Sequence, residues 1–189
     1  MKDLKITQLA AVGGLSLLVA CATTAKADGA AGAGFYLGAD SGLNILEGNH
    51  NLRTEPGIRG DLVAGYGFKL TPEITLAPEL ETGWIYNNLR GHHGGQINQI
   101  PLLANVVLNY HIGKWVPYLG LGAGGDSINV DQGRYSNMDL AAQAQAGVRY
   151  LVSDNFDVGV GYKYMVDFLE HGGETANNNT FLLSASYHF

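Results

Sequence analysis

Apolar and polar residues alternate with a period of two along most of the chain, the signature of β-strands whose two faces meet different surroundings. The first instance, GFYLGADSGLNI, sets Phe35, Leu37, Ala39, Leu43 and Ile45 against Tyr36, Gly38, Asp40, Gly42 and Asn44. The second sets Ile58, Leu62, Ala64, Tyr66, Phe68 and Leu70 against Arg59, Asp61, Gly65, Gly67 and Lys69. The third opposes Ile74, Leu76, Leu80, Trp84 and Tyr86 to Thr75, Glu79, Glu81, Gly83 and Asn87, and the fourth runs from Ile100 to Tyr110 on even numbers against Leu103, Asn105, Val107 and Asn109. A fifth covers Tyr118–Gly124, a sixth Leu140–Tyr150 with Gln143, Gln145 and Arg149 on its polar face, and a seventh Phe156–Tyr164 with Asp157 and Lys163. The eighth is the closing stretch FLLSASYHF, with Phe181, Leu183, Ala185, Tyr187 and Phe189 on one face.

The connections alternate in length. Segments 71–73, 112–115 and 152–155 are tight turns, whereas 46–57, 88–98, 125–138 and 167–179 are long and polar. Short turns at one end and long loops at the other, on an even number of strands, predict an all-β, eight-stranded antiparallel up-and-down transmembrane β-barrel. A secreted lipocalin-like barrel, with its apolar face turned inward, is the competing reading, and Gly113-Lys114-Trp115 resembles its G-x-W; that tripeptide, however, lies in a mid-chain turn. Volume decides the direction. The interior of an eight-stranded barrel has room for a packed set of side chains or one small ligand, and the apolar face, with Tyr66, Phe68, Trp84, Tyr86, Tyr110, Tyr150, Phe156, Tyr162, Tyr164, Tyr187 and Phe189, would overfill it. The face rich in Gly, Ser, Asn and Gln fits. Aromatics also sort by height: Phe68, Tyr110, Tyr150, Phe156, Tyr187 and Phe189 lie near the short turns, and Trp84, Tyr86, Tyr162, Tyr164 and Phe181 near the loops. Two such rings are the girdles of a membrane barrel.

Composition refines this picture. A content of 27 Gly and 10 Tyr favours short turns and strands, and 1 Cys excludes an intrachain disulfide. The start of the chain reads as an export signal over residues 1–27: Lys2 and Lys5, the apolar run Leu9–Ala20, then Ala25-Lys26-Ala27 as an A-x-A cleavage site. Leu18-Val19-Ala20-Cys21 resembles a lipobox, which makes lipidation at Cys21 the alternative to cleavage after Ala27. Residues 28–189 then form the barrel domain. Removing residues 1–27 takes away three of the 11 basic and one of the 17 acidic side chains, leaving 8 against 16 and a net charge of −8. Such a surface repels phosphate backbones, and no basic patch or phosphate loop is present, so nucleic acid is excluded as a partner.

The charges of the inward face are nearly balanced, with Arg59, Lys69, Arg149 and Lys163 against Asp40, Asp61, Glu79, Glu81 and Asp157. In a barrel too narrow for an aqueous channel they are expected to form a plug of ion pairs rather than an ion pathway. His50, His92, His93 and His171 fall in the long loops with no ligand spacing, and His111 and His188 near the short turns; no metal and no cofactor is expected.

With its closing strand and its two girdles, the chain over residues 33–189 resembles the small eight-stranded outer-membrane proteins of the OmpA-barrel, OmpX and opacity-protein type. The resemblance implies residence in the bacterial outer membrane, among lipid and lipopolysaccharide. It implies that Phe181, Leu183, Tyr187 and Phe189 form the signal read by the barrel-assembly machinery, with loops facing host or cell-surface ligands. The peptidoglycan-binding module that follows the barrel in full-length OmpA proteins is not expected. Some barrels of this size are lipid A enzymes carrying an H-x-S pair. Here the only Ser and His two apart are Ser186 and His188, in reversed order and on the inward face, so the expected role is non-enzymatic, structural or adhesin-like. A lipid A-modifying enzyme and a small porin are the alternatives.

Overall fold

The computed structural model describes residues 32–48, 54–89, 95–130, 135–168 and 175–189. The leader with its two processing sites, and the four loop histidines, lie outside the described residues. Eight strands run in chain order: β1 Gly34–Gly48, β2 Gly57–Lys69, β3 Ile74–Leu89, β4 Gly95–Tyr110, β5 Trp115–Val130, β6 Tyr135–Ser153, β7 Phe156–Phe168 and β8 Thr175–His188. Each pairs antiparallel with the next, and β8 closes on β1 with a register running from Tyr36 opposite His188 to Gly48 opposite Ala176. The seam is finished by Phe189, whose N–H donates to the Phe35 carbonyl at 3.0 Å. An unpaired edge would leave backbone groups unsatisfied in hydrocarbon at several kcal/mol each.

The period-two pattern becomes the wall. In β4 burial alternates at every residue from Ile97 to Tyr110, with Leu102, Val106 and Leu108 turned out and Leu103, Val107 and Asn109 turned in. Leu62, Leu119, Leu121, Leu140 and Leu183 are more than half exposed, which water would penalise and hydrocarbon does not. Ring pairs mark both edges of this belt. Near the short turns are Tyr66 and Phe68 at 4.7 Å, Trp115 and Tyr150 at 4.9 Å, and Tyr187 and Phe189 at 5.1 Å. Toward the loops are Trp84 and Tyr86 at 5.7 Å and Tyr162 and Phe181 at 5.1 Å.

The turn between β4 and β5 closes in two residues, Ile112 and Trp115 exchanging backbone hydrogen bonds of 2.8 and 3.1 Å, with Gly113 at φ 61°. A two-residue hairpin of this kind calls for positive φ, which glycine adopts without a Cβ clash.

The loops are shorter than the sequence pattern indicates. Strands run 13 to 19 residues, against the 9–11 or so that span the bilayer, so β1 continues to Gly48, β4 begins at Gly95, β5 reaches Val130, and β7 and β8 extend to Phe168 and back from Thr175. These upper stretches carry polar residues on both faces, which erases the hydrophobic alternation while the cross-strand ladder continues. Closure predicts heat-modifiable mobility: the mature protein should run faster on SDS gels unheated than boiled. Identical mobility would rule out a detergent-resistant barrel.

Candidate functional site in the barrel interior

The inward positions build a stack of layers. At mid-height Asp40 comes from β1, Arg59 and Asp61 from β2, Glu81 from β3, Asn105 from β4, Gln143 from β6 and Lys163 from β7. Lys163 is 1% exposed and points each of its three N–H bonds at a different carboxylate, Asp40 at 2.8 Å and Asp61 and Glu81 at 2.9 Å each. Arg59 holds both oxygens of Asp61 through Nε at 3.0 and 2.8 Å and reaches Glu81 at 2.8 Å and the Gln143 carbonyl at 2.9 Å through Nη2. Glu81 also accepts from Asn105 at 2.8 Å and Gln143 at 3.1 Å. Buried charges are tolerated only when paired and hydrogen-bonded in this way.

Below this network, toward the short turns, Tyr36 donates its hydroxyl to Glu79, which also accepts from Gln145 at 3.3 Å and faces Arg149 at 3.6 Å. The Arg149 guanidinium lies 4.5 Å from the centre of the Tyr118 ring, a cation–π contact. Glycines give the two tyrosines room. A Cβ at Gly65 would come within 2.5 Å of the Tyr36 ring, and one at Gly161 within 2.3 Å of the Tyr118 hydroxyl. Lower still, the buried pair His188 and Asp157 meets at 2.7 Å, and His111 lies 3.3 Å from Thr75.

Above the central network Ile85, Leu103, Ala141 and Met165 form an apolar layer, and beyond it Leu46, Ile97 and Ile128 form another. Between these two sits a polar layer of Asn44, Asn87, Gln99, Asp126, Asp139, Asp167, Asn178 and Thr180, all buried. Two small cavities, of about 20 and about 10 Å³, lie in the lower half around Tyr36 and Arg149, each the size of about one water.

Of the nine charges expected on the inward face, Asp40, Arg59, Asp61, Glu79, Glu81, Arg149, Asp157 and Lys163 project into the lumen. Lys69 does not: the last residue of β2 is exposed at the rim, because the strand ends there and an ammonium beyond the wall stays in water. Three further carboxylates join the inward charges: Asp126 and Asp167, which fall in ranges expected as loops, and Asp139, which falls just before the expected sixth strand, are turned inward by the extended strands, so that eight carboxylates face three Lys and Arg side chains among the described residues. The sequence reading also missed the His188–Asp157 pair, although the inward parity of 157 and 188 places both on one face. Phe181, Leu183, Tyr187 and Phe189 all point outward on the closing strand. Ser186 and His188 face inward, and His188 Nε2 is held by Asp157. No three His, Cys, Asp or Glu side chains converge on one point as a metal site among the described residues.

Residues 14–189 match the family model described as outer membrane protein beta-barrel domain. No curated protein matches the chain by sequence. Among solved structures, Neisserial surface protein A is similar at 19% identity and a TM-score of 0.67, over 83% of this chain and 98% of that one. Ail, the attachment invasion locus protein of Yersinia pestis, solved with the heparin analogue sucrose octasulfate, is similar at 16% identity and 0.53, over 83% and 99%. The outer membrane enzyme PagL is similar at 14% identity and 0.50, over 82% and 99%. At these identities the likeness is one of fold.

Removing the amine at the centre of the network should cost stability. Lys163→Ala leaves three carboxylates facing one another, and urea unfolding in lipid vesicles should show a loss of roughly 3–5 kcal/mol. A variant as stable as the parent would mean that the network does not hold the barrel.

Proposed function

Because the chain belongs to the outer membrane protein β-barrel family and resides in the bacterial outer membrane, we propose that it serves there as a non-enzymatic structural and surface-interaction protein. It engages host or cell-surface ligands and lipopolysaccharide through the hairpins at the end of the barrel opposite the short turns. One observation carries this reading. The lumen is filled by side chains bonded to one another, with Lys163, Arg59 and Glu81 tying six of the eight strands at mid-height, and such an interior has no room for a substrate or a wide aqueous path. What is left to vary is the exposed rim, where specificity concentrates on a rigid scaffold. The similarity to a Neisserial surface protein and to an attachment invasion locus protein supports the reading by analogy of fold.

The likeness to PagL raises catalysis as the alternative. A nucleophile needs its base within reach and its substrate at hand. Against that, the reversed Ser186 and His188 face the lumen at the short-turn end, and His188 is engaged by Asp157.

In planar bilayers the unmutated protein should show little or no steady conductance, and a reproducible large conductance would move the function to a porin. Cells carrying the barrel with its four outer hairpins shortened should lose adherence to host matrix relative to the intact form. Equal binding would leave a purely structural role. The closing strand adds a partner, the barrel-assembly machinery, with Phe181, Leu183, Tyr187 and Phe189 as the face presented to it. Phe189→Ala should therefore accumulate in the periplasm more than Phe156→Ala, an outward ring equally exposed at 37% on an internal strand. Equal assembly of the two variants would remove the terminal ring from the signal.

A further inference from the structure

The seam between β8 and β1 is the one strand pairing in the barrel that no turn or loop connects. Elsewhere the connection limits the register. Across this seam Thr180 faces Asn44, 136 residues away in the chain. The apolar alternation does not fix the pairing either, because sliding β8 by two residues leaves every side chain on its own face. A slide toward the short turns sets Leu183 in place of Ala185 opposite Ala39, and Tyr187 in place of Phe189 beside Phe35. A slide toward the loops sets Tyr187 opposite Ala39. Lipid meets an apolar wall in all three cases.

Much of the inward face of the seam is equally tolerant. Gly38 and Gly42 bring no side chain, Asp40 is held by Lys163, and Ser184 opposite Asp40 has no hydrogen-bond partner. At the lower end Tyr36 and His188 touch ring to ring at 5.2 Å, while His188 is tied to Asp157 of β7. Asn44 differs. Fully buried, it accepts from the Thr180 hydroxyl at 2.7 Å through Oδ1, and its Nδ2 donates to Asn178 Oδ1 at 2.8 Å and to Asn87 Oδ1 of β3 at 2.8 Å. One amide thus takes two partners from β8. A slide toward the loops brings Leu182 to the place of Thr180, and a slide toward the short turns brings Ala176 to the place of Asn178. Neither side chain can hydrogen-bond, and a buried amide left without its partner suffers its full desolvation penalty.

We propose that Asn44 is the positioning residue of barrel closure: by pairing with Thr180 and Asn178 together, it selects the register at which the last strand docks on the first. Asn87 holds the amide in place from β3 and does not touch β8. A single buried Asn sets register in the same way in the apolar seam of a coiled coil, where the hydrophobic repeat alone allows a slide. This role does not depend on what the outer hairpins bind, nor on how the outward face of β8 is recognised during insertion.

Paired cysteines report the register, and residues 28–189 contain none of their own, since Cys21 lies in the leader. Opposed Cα atoms are about 4.5–5.5 Å apart, within the disulfide span of roughly 4.4–6.8 Å, whereas diagonal neighbours at about 7–8 Å are beyond it. Refolded in lipid vesicles and oxidised, Ala39→Cys with Ala185→Cys should cross-link, and Ala39→Cys with Leu183→Cys or with Tyr187→Cys should not. Adding Asn44→Val should raise the ratio of slipped to registered cross-link roughly tenfold, the scale of one lost buried hydrogen bond. The ratio is read on all membrane-inserted chain, so that loss of the folded gel band does not hide it. Thr180→Val should move it in the same direction. Asn87→Val, which removes a neighbouring amide and leaves both β8 partners of Asn44 in place, should not move it. An unchanged ratio in Asn44→Val overturns the proposal. An equal rise in Asn87→Val also overturns it, since loosening of the upper lumen would then be enough.

Discussion

A sheet that crosses hydrocarbon cannot keep an edge, because no water is there to take up its N–H and C=O groups. The rest of this molecule follows from the requirement that β8 return to β1. Closure with eight strands sets a lumen of fixed width, and the pleat delivers every second residue into it. Whatever the sequence places at those positions must fill that width and satisfy itself. The seam shows the requirement met to the last residue, with pairing from Gly48 opposite Ala176 down to the Phe189 N–H on the Phe35 carbonyl.

Inside, the solution is neither an oily core nor a polar channel but an alternation of the two. Apolar layers around Val107 and Tyr118, around Leu103 and Met165, and around Ile97 and Ile128 separate polar layers in which charge is met by charge or amide. The low dielectric of the apolar layers strengthens each ion pair and raises the penalty for an unpaired one. That coupling explains why Glu81 takes four donors from four strands, and why Gly122 faces Asn105. A Cβ there would fall 1.8 Å from Asn105 Oδ1 and displace a ligand of Glu81.

The wall was legible in the sequence because its two faces differ most where lipid lies on one side. Leu62, Val106, Leu121 and Leu183 are unambiguous there, and the direction of the faces followed from volume alone. The strand ends were not legible, for the same physical reason: past the girdle both faces meet polar surroundings, and Asn98, Gln99, Asn177 and Asn178 no longer alternate in hydropathy although they still pair. Loop ranges drawn at those ends leave Asp126 and Asp167 out of the interior, and a sixth strand drawn from Leu140 leaves out Asp139, one residue before it. Pairings such as His188 with Asp157, or Lys163 with three carboxylates, depend on register between strands far apart in sequence. Periodicity assigns a residue to a face and leaves its height undetermined.

Height is what divides the tasks of this barrel. At mid-depth the interior is over-determined: Lys163 has no spare donor, Glu81 is saturated, and side chains occupy the width, so change there is opposed by the neighbours on every side. Above the girdle the constraint relaxes. Ladders between neighbouring hairpins continue there, as from Ile45 to Gly48 against β8 and from Ile97 to Gln99 against β5, but outward rings find local partners, as Trp84 does with Asn98 at 3.3 Å and Tyr86 with Asn88 at 3.0 Å. A substitution of an outward ring at the rim therefore disturbs a local contact, whereas a substitution at Glu81 disturbs the partners it holds on β2, β4, β6 and β7. Recognition that must vary is best carried where the energetic coupling is weakest, and in this fold that is the end where the strands outrun the membrane.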